Sequence, residues 1–348
     1  MLNLRDREWG AFRIEEIAEI ESGRGIYDNE RKTGNIPYIS STSLNNGIAH
    51  FVSNDNTTKE AGCISVNSNG SIGYAFYHPY ESLYSNDCRK LRVKHSTKYI
   101  CIFIAHQIKM QRAKYSYGYK MGTARLKKQS VLLPVTEDGT PDWCFMDNYT
   151  REREQLQLKE YSSHAKKVIA EIGDIKNVLP LNEKEWKPFM LSDIFDIRAG
   201  KRLTRADMKT GVRPFIGATD TNNGITGFVS NSNNSLDNNV LGVNYNGSVV
   251  ETFYHPYECI FSDDVKRFCL KAATPNKYLY LFLKTTIMQQ KVKYAYGYKF
   301  NEQRMKKQLL LLPVKYGANE PDWAYMEQYA KMLYLRQLEA YLHYKDGL

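Results

Sequence analysis

Cysteine is scarce in this chain, and its placement excludes the chemistries that depend on it. The six cysteines, Cys63, Cys88, Cys101, Cys144, Cys259 and Cys269, form no C-x-x-C pair. Without metal-ligand spacing they read as reduced, mostly buried thiols. Long apolar runs are missing as well. The longest, Tyr99 to Ala105, is far too short to cross a bilayer, so no membrane is expected. The segment Met1 to Glu8 is charged and has no apolar signal core, which points to a cytoplasmic protein. Acidic excess is absent: 48 Lys and Arg outnumber 38 Asp and Glu, for a formal charge of +10. A basic chain of this kind commonly meets a polyanion, nucleic acid first among them. Ordinary surface lysine is the plain alternative.

Signatures of catalysis are also lacking. There is no G-x-x-x-x-G-K-[ST] loop, no G-x-S-x-G elbow, no H-E-x-x-H and no G-x-G-x-x-G at a strand–helix junction. No Asn-Pro-Pro-Tyr or Asp-Pro-Pro-Tyr segment, as amino-methyltransferases use, is found. Asp174-Ile175-Lys176 is a D-x-K triplet of the kind nuclease metal sites contain, but it is not repeated and reads as chance.

What is present is a repeat. Residues 9 to 54 match 186 to 231 at an offset of 177. Trp9, Phe12, Gly23, Thr33-Gly34 and Pro37 meet Trp186, Phe189, Gly200, Thr210-Gly211 and Pro214. Asn46-Gly47-Ile48, Asn69-Gly70-Ser71 and Phe76-Tyr77-His78-Pro79-Tyr80 recur as Asn223-Gly224-Ile225, Asn246-Gly247-Ser248 and Phe253-Tyr254-His255-Pro256-Tyr257. Lys114 to Lys120 recurs at an offset of 179, and Pro141-Asp142-Trp143 at 180. The period is too long for a solenoid and fits two globular domains in tandem. The expected division is 1–144 and 181–322 for the domains, with helical segments 145–180 and 323–348 after them.

Each copy reads as mixed α/β, so the fold class is α+β. Phe12 to Ile20 has the spacing of a short helix or a helix-to-strand entry. Ile36 to Ile39, Ile48 to Val52, Cys63 to Val66, Ile72 to Tyr77, Lys90 to Val93 and Leu132 to Val135 read as strands. Lys98 to Lys109 and Lys277 to Gln289 read as helices with one buried face. Beyond Trp143, Leu158, Tyr161, Ala165, Val168, Ile172 and Ile175 are spaced 3, 4, 3, 4 and 3, a heptad seam. A helix from Phe145 to Val178, closed by Pro180, would be roughly 50 Å long. Leu335, Leu338 and Leu342 repeat the rhythm. Each helix could pack on its own domain, but the sustained seam favours the two pairing as an antiparallel coiled coil.

The residue pattern most suggestive of ligand contact runs from Lys109 to Lys128, which has no acidic residue. It carries Lys114, Lys120, Arg125 and Lys127, interleaved with Tyr117 and Tyr119. The second copy carries Lys293, Lys299, Arg304 and Lys306 with Tyr296 and Tyr298. Cations neutralise phosphates and tyrosines offer stacking surfaces; a basic helix followed by a strand with one aromatic face is the structural alternative. A second candidate surface follows the first helix. It comprises Arg24, Tyr27, Ser41, Thr42, Asn69 and Ser71 in copy one, and Lys201, Arg202, Arg205, Thr219, Asn246 and Ser248 in copy two. Gly23 and Gly200 match while the polar residues after them differ, as two different base readouts require. Divergence after duplication produces the same picture. His78 and His255, each before proline among aromatics, read as packed turns rather than catalytic residues. Asp142 and Asp322 are placed to cap the helices that follow them, with the next tryptophan packing at the base.

The order of these motifs, twice over, resembles the DNA-specificity subunit of restriction–modification systems. Ser68-Asn69-Gly70-Ser71-Ile72-Gly73 is similar to that family's Gly-Thr-Ile-Gly loop, and Ile36-Pro37-Tyr38-Ile39 to its Ile-Pro-Trp-Ile. The resemblance covers nearly the whole chain. It implies two target recognition domains, each reading half of a bipartite site in double-stranded DNA. It also implies helices that set the gap and dock methyltransferase or fused restriction–methylation subunits, in two copies. S-adenosylmethionine and Mg would belong to those partners, and this chain would be non-catalytic. The helical segments are short for a type I subunit, which favours a type IIB-like system. A stand-alone DNA enzyme and a tandem polyanion- or protein-binding module remain the alternatives.

Overall fold

A computed structural model describes residues 2–175, 178–294 and 297–346. The chain divides into two compact units, Met1–Tyr161 and Ser162–Leu348. The division falls inside a helix rather than at a linker.

In the first unit, β1 (Trp9–Arg13) pairs antiparallel with β9 (Ser130–Pro134), joining the two ends of the repeat. Between β1 and β2 (Ala18–Ser22) lies one helical turn, α1 (Ile14–Ile17), so the helix-to-strand entry expected there is flanked by strands on both sides. A three-stranded sheet holds β4 (Ile48–Val52), β3 (Thr33–Ile39) and β7 (Leu83–Tyr84) in that order. A four-stranded sheet orders β2, β8 (Cys88–Val93), β5 (Cys63–Asn67) and β6 (Ala75–His78). The strand expected from Ile72 starts at Ala75. Residues 68–74 form a loop because Gly70 and Gly73 both have positive φ.

The main core lies between that sheet and α2 (Lys98–Met110), with α3 (Thr123–Lys128) and β9 closing it. Thr97 Oγ1 accepts from the Ile100 amide and caps α2. Ile100, Phe103, Ile104 and Ile108 then fall on one face at helical spacing, and all are buried. α4 (Trp143–Ile172) follows, and Asp142 caps it through the Phe145 amide at 2.9 Å.

The second unit repeats this plan. β10 (Glu185–Met190) pairs with β18 (Leu309–Val314), with α5 (Leu191–Ile194) after β10. The sheets are β11 (Phe195–Ala199), β17 (Val265–Leu270), β14 (Val240–Asn244), β15 (Thr252–His255), and β13 (Ile225–Val229), β12 (Thr210–Ile216), β16 (Ile260–Phe261). α6 (Lys277–Met288) covers the core, α7 (Glu302–Lys307) precedes β18, and α8 (Trp323–Asp346) is capped by Asp322 at 3.1 Å.

α4 ends six residues before the expected Val178. Gly173 takes φ +73° and its amide bonds the Ile169 carbonyl, an αL stop that acts well before Pro180. Ile175 and Asp174 therefore lie past the helix, and Lys176 lies outside the described residues. Within the second unit, Ala165, Val168, Ile169 and Ile172 of α4 form one apolar cluster with Tyr334, Leu338 and Leu342 of α8. No described helix is long and apolar enough to cross a membrane.

Candidate nucleic-acid interface

Three loops of each unit converge on one cleft. In the first unit, Gly23 lets the chain leave β2 hard against the β7–β8 turn: a Cβ there would lie 2.0 Å from the Ser85 carbonyl oxygen. The Gly23 and Arg24 amides bond the Cys88 and Tyr84 carbonyls. The following loop lines a cleft of about 290 Å³ together with Ser40, Ser85, Asn86 and Asp87. Gly200 makes the same approach to Ser262, and Arg202, Leu203, Thr204 and Arg205 line a cleft of about 580 Å³ with Ala218, Asn246, Asp263 and Asp264.

The Asn-Gly-Ser loops brace these clefts, and Asn246 lines that of the second unit. The Asn69 amide donates to Asp87 at 3.1 Å, and that of Asn246 to Asp264 at 2.8 Å. Asn67 donates to the Thr42 carbonyl and Asn244 to that of Thr219, both at 2.9 Å. The Ser41 hydroxyl donates to the Asn69 carbonyl. The Ser71 and Ser248 amides bond the Ser41 and Ala218 carbonyls. Asn69, Asn246 and Ser41 thus hold the shape of the cleft. Tyr27, Arg24, Lys201, Arg202 and Arg205 are the exposed side chains around it. The acidic turn residues Asp87 and Asp264 were not singled out from the sequence, although the repeated Ser-x-Asp of Ser85 to Asp87 and Ser262 to Asp264 carries that signal.

The basic tyrosine segment is not a strand. Ser116 and Tyr119 exchange backbone hydrogen bonds of 3.2 and 2.9 Å, which makes a tight hairpin with Tyr117 and Gly118 at its tip. Tyr117 is 84% exposed. Tyr119 stacks on Tyr115 at 5.7 Å, and Arg125 lies 4.1 Å over Tyr119 while donating to the Lys120 carbonyl. The second unit reproduces the clamp: Tyr298 stacks on Tyr294 at 5.8 Å, Arg304 lies 3.7 Å over Tyr298 and donates to the Lys299 carbonyl. Tyr296 lies outside the described residues. Arg125 and Arg304 are therefore partly committed to these clamps. Lys114, Lys127, Lys293 and Lys306 are exposed. Lys120 sits 4.8 Å over the Tyr117 ring.

The two surfaces adjoin within the first unit. Arg89 donates to Thr123 Oγ1 at the start of α3 and to the Asn86 carbonyl of the cleft, at 2.7 and 2.8 Å. Arg112 lies 4.7 Å over Tyr74, which ends the loop carrying Asn69 and Ser71. Lys266 reaches Glu302 at 3.2 Å in the equivalent place of the second unit.

His78 and His255 are fully buried, and burial pushes each down to about 4. His78 Nε2 meets the Ser65 hydroxyl at 2.8 Å, and both rings pack edge-on against aromatics. Neutral, enclosed imidazoles without solvent access are packing elements. The turn after them is tied to the Asn-Gly-Ile motif, since the Asn46 and Asn223 amides donate to the Tyr80 and Tyr257 hydroxyls.

The family model described as type I restriction modification DNA specificity domain matches the chain twice, over residues 6–161 and 183–339. The specificity subunit of the type II restriction enzyme BcgI from Heyndrickxia coagulans is 40% identical over 330 residues, covering 92% of this chain and 93% of that protein. The crystal structure of the type I restriction–modification S subunit from M. genitalium superposes with a TM-score of 0.51 at 14% identity, covering 99% of this chain and 94% of that one. At that identity the likeness concerns the fold.

Proposed function

The chain belongs to the type I restriction–modification DNA-specificity family and carries two of its domains in tandem, and from that premise we propose that it is the DNA-recognition subunit of a restriction–modification complex. Each unit reads one half of a bipartite double-stranded site. The observation that carries this reading is the repeated cleft: one scaffold, Gly23/Gly200 with Asp87/Asp264, bordered by exposed side chains that differ between copies. A constant frame with variable donors and acceptors is what two unlike half-sites demand. The basic hairpin of the first unit and the matching basic segment of the second supply sequence-independent phosphate contacts.

Methylation and cleavage belong to partner subunits, methyltransferase or fused restriction–methylation chains in two copies, which bring S-adenosylmethionine and Mg. α4 and α8, paired as an antiparallel coiled coil, set the gap and dock those partners. The 40% identity to a type II enzyme's subunit favours a type IIB-like system over type I. The site of action is cytoplasmic.

Mapping methylated positions in DNA from cells that carry the whole system tests this. Methylation confined to one bipartite sequence, lost when this chain is deleted, is expected. Methylation or cleavage by the purified chain alone would overturn the non-catalytic assignment.

A further inference from the structure

The two clefts share a frame and differ in charge. In the first, Arg31 is already engaged: it pairs with Asp28 at 2.7 Å, meets His50 at 2.8 Å and lies 5.4 Å over Tyr38. In the second, Arg202 replaces Gly25, Arg205 replaces Asp28, and Asp263 replaces Asn86, all three lining the cleft. Among the described residues, no hydrogen bond or ion pair engages the side chains of Arg202, Arg205 or Asp263. Gly217 and Ala218 stand where the first unit has Ser40 and Ser41, and the second cleft is the larger.

We propose that the cleft of the second unit recognises the major-groove edge of a G·C base pair, Arg202 and Arg205 donating to guanine N7 and O6 and Asp263 accepting from the cytosine amino group. This rests on the reading of each unit as a base reader. A G·C edge presents two acceptors beside one amino donor, and guanidinium groups fit the former as a carboxylate fits the latter. A phosphate site is the other use for two arginines. Asp263 and Asp264 in the same cleft oppose it, because carboxylates repel a phosphate and gain nothing from it. Asp264 is held in place by Asn246, whereas Asp263 is left to bind. The first cleft has no equivalent pair of unengaged guanidiniums, so the two half-sites differ at this position.

The test uses the chain assembled with the methyltransferase subunits expressed beside it, and selection from a duplex pool randomised in both half-sites. The wild-type complex is expected to enrich guanine at one position of one half-site. R202A and R205A lose that preference, about tenfold, and leave the other half-site unchanged. In a second measurement, 7-deazaguanine at that position weakens wild-type binding about tenfold and does not further weaken R202A. This second measurement on wild-type protein stands even if a variant misfolds. Retention of the preference by both variants overturns the proposal. So does equal weakening on every duplex, which marks a phosphate contact, while base reading elsewhere in the unit survives. Absence of any sequence preference in the wild-type complex overturns both the proposal and the reading beneath it.

Discussion

Duplication lets each residue be judged against its counterpart, and the buried charges show how. Lys90, 2% exposed, pairs with Glu60 in the first unit, and Arg92 beside Glu60 holds that carboxyl down to about 2. At the matching positions the second unit has Arg267 and Asp237, paired at 2.9 Å. Both partners have changed and the pair has survived, as expected where an orphaned buried charge is costly. Asp237→Ala should therefore destabilise the second unit by about 3–5 kcal/mol in urea unfolding, and adding Arg267→Met should restore much of the loss. If the double variant is no more stable than the single, the pair is not what matters there. The histidines carry a pH signature. Their free value of 6.5 falls to about 4 in the fold, so the unfolded chain takes up protons first as pH drops. Their contribution is intact above pH 6.5 and is lost between 6.5 and about 4, on the order of 3 kcal/mol for each. Melting temperature measured across that window should fall, and fall less in His78→Gln. An unchanged slope in the variant would show that other groups set it.

At the scale of elements, the proposed function divides the labour of binding between the basic tyrosine segment and the cleft. The stacked tyrosines and clamping arginine are kept in both copies, as the proposed sequence-independent contact requires. Lys120→Ala should weaken binding to all duplexes several-fold and lower the dependence of log affinity on log salt by about one ion. Arg24→Ala should instead relax one base position with little change in salt dependence. Binding isotherms at several salt concentrations separate the two, and unchanged affinity and specificity in both would sink the surface assignment.

For the molecule as a whole, the closure of β1 on β9 and of β10 on β18 makes each unit a folding body with its own core. Leu338, 2% exposed in the cluster of α4 and α8, belongs to the second body alone. Leu338→Ala should cost that unit roughly 2–5 kcal/mol and leave the first unit's transition in place. A matching shift of both transitions in calorimetry would mean that the units unfold as one.

The sequence by itself determined the duplication, the α+β class, the amphipathic helices and the caps at Asp142 and Asp322, because each rests on residue type at short spacing. It also singled out loops whose polar residues differ between the copies, since such differences on a repeated frame are visible in one dimension. Only the tertiary structure decided that these loops form one cleft. Gly23 lies 62 residues from Ser85, and nothing local announces a contact between them. It likewise showed that the tyrosine segment turns rather than extends, because ring stacking and an arginine clamp outweigh the alternating pattern. It placed the end of α4 at Gly173, where a left-handed residue stops the helix while the apolar spacing continues. And it separated the arginines engaged by neighbours from those left without such partners, a distinction set by residues that come from elsewhere in the chain.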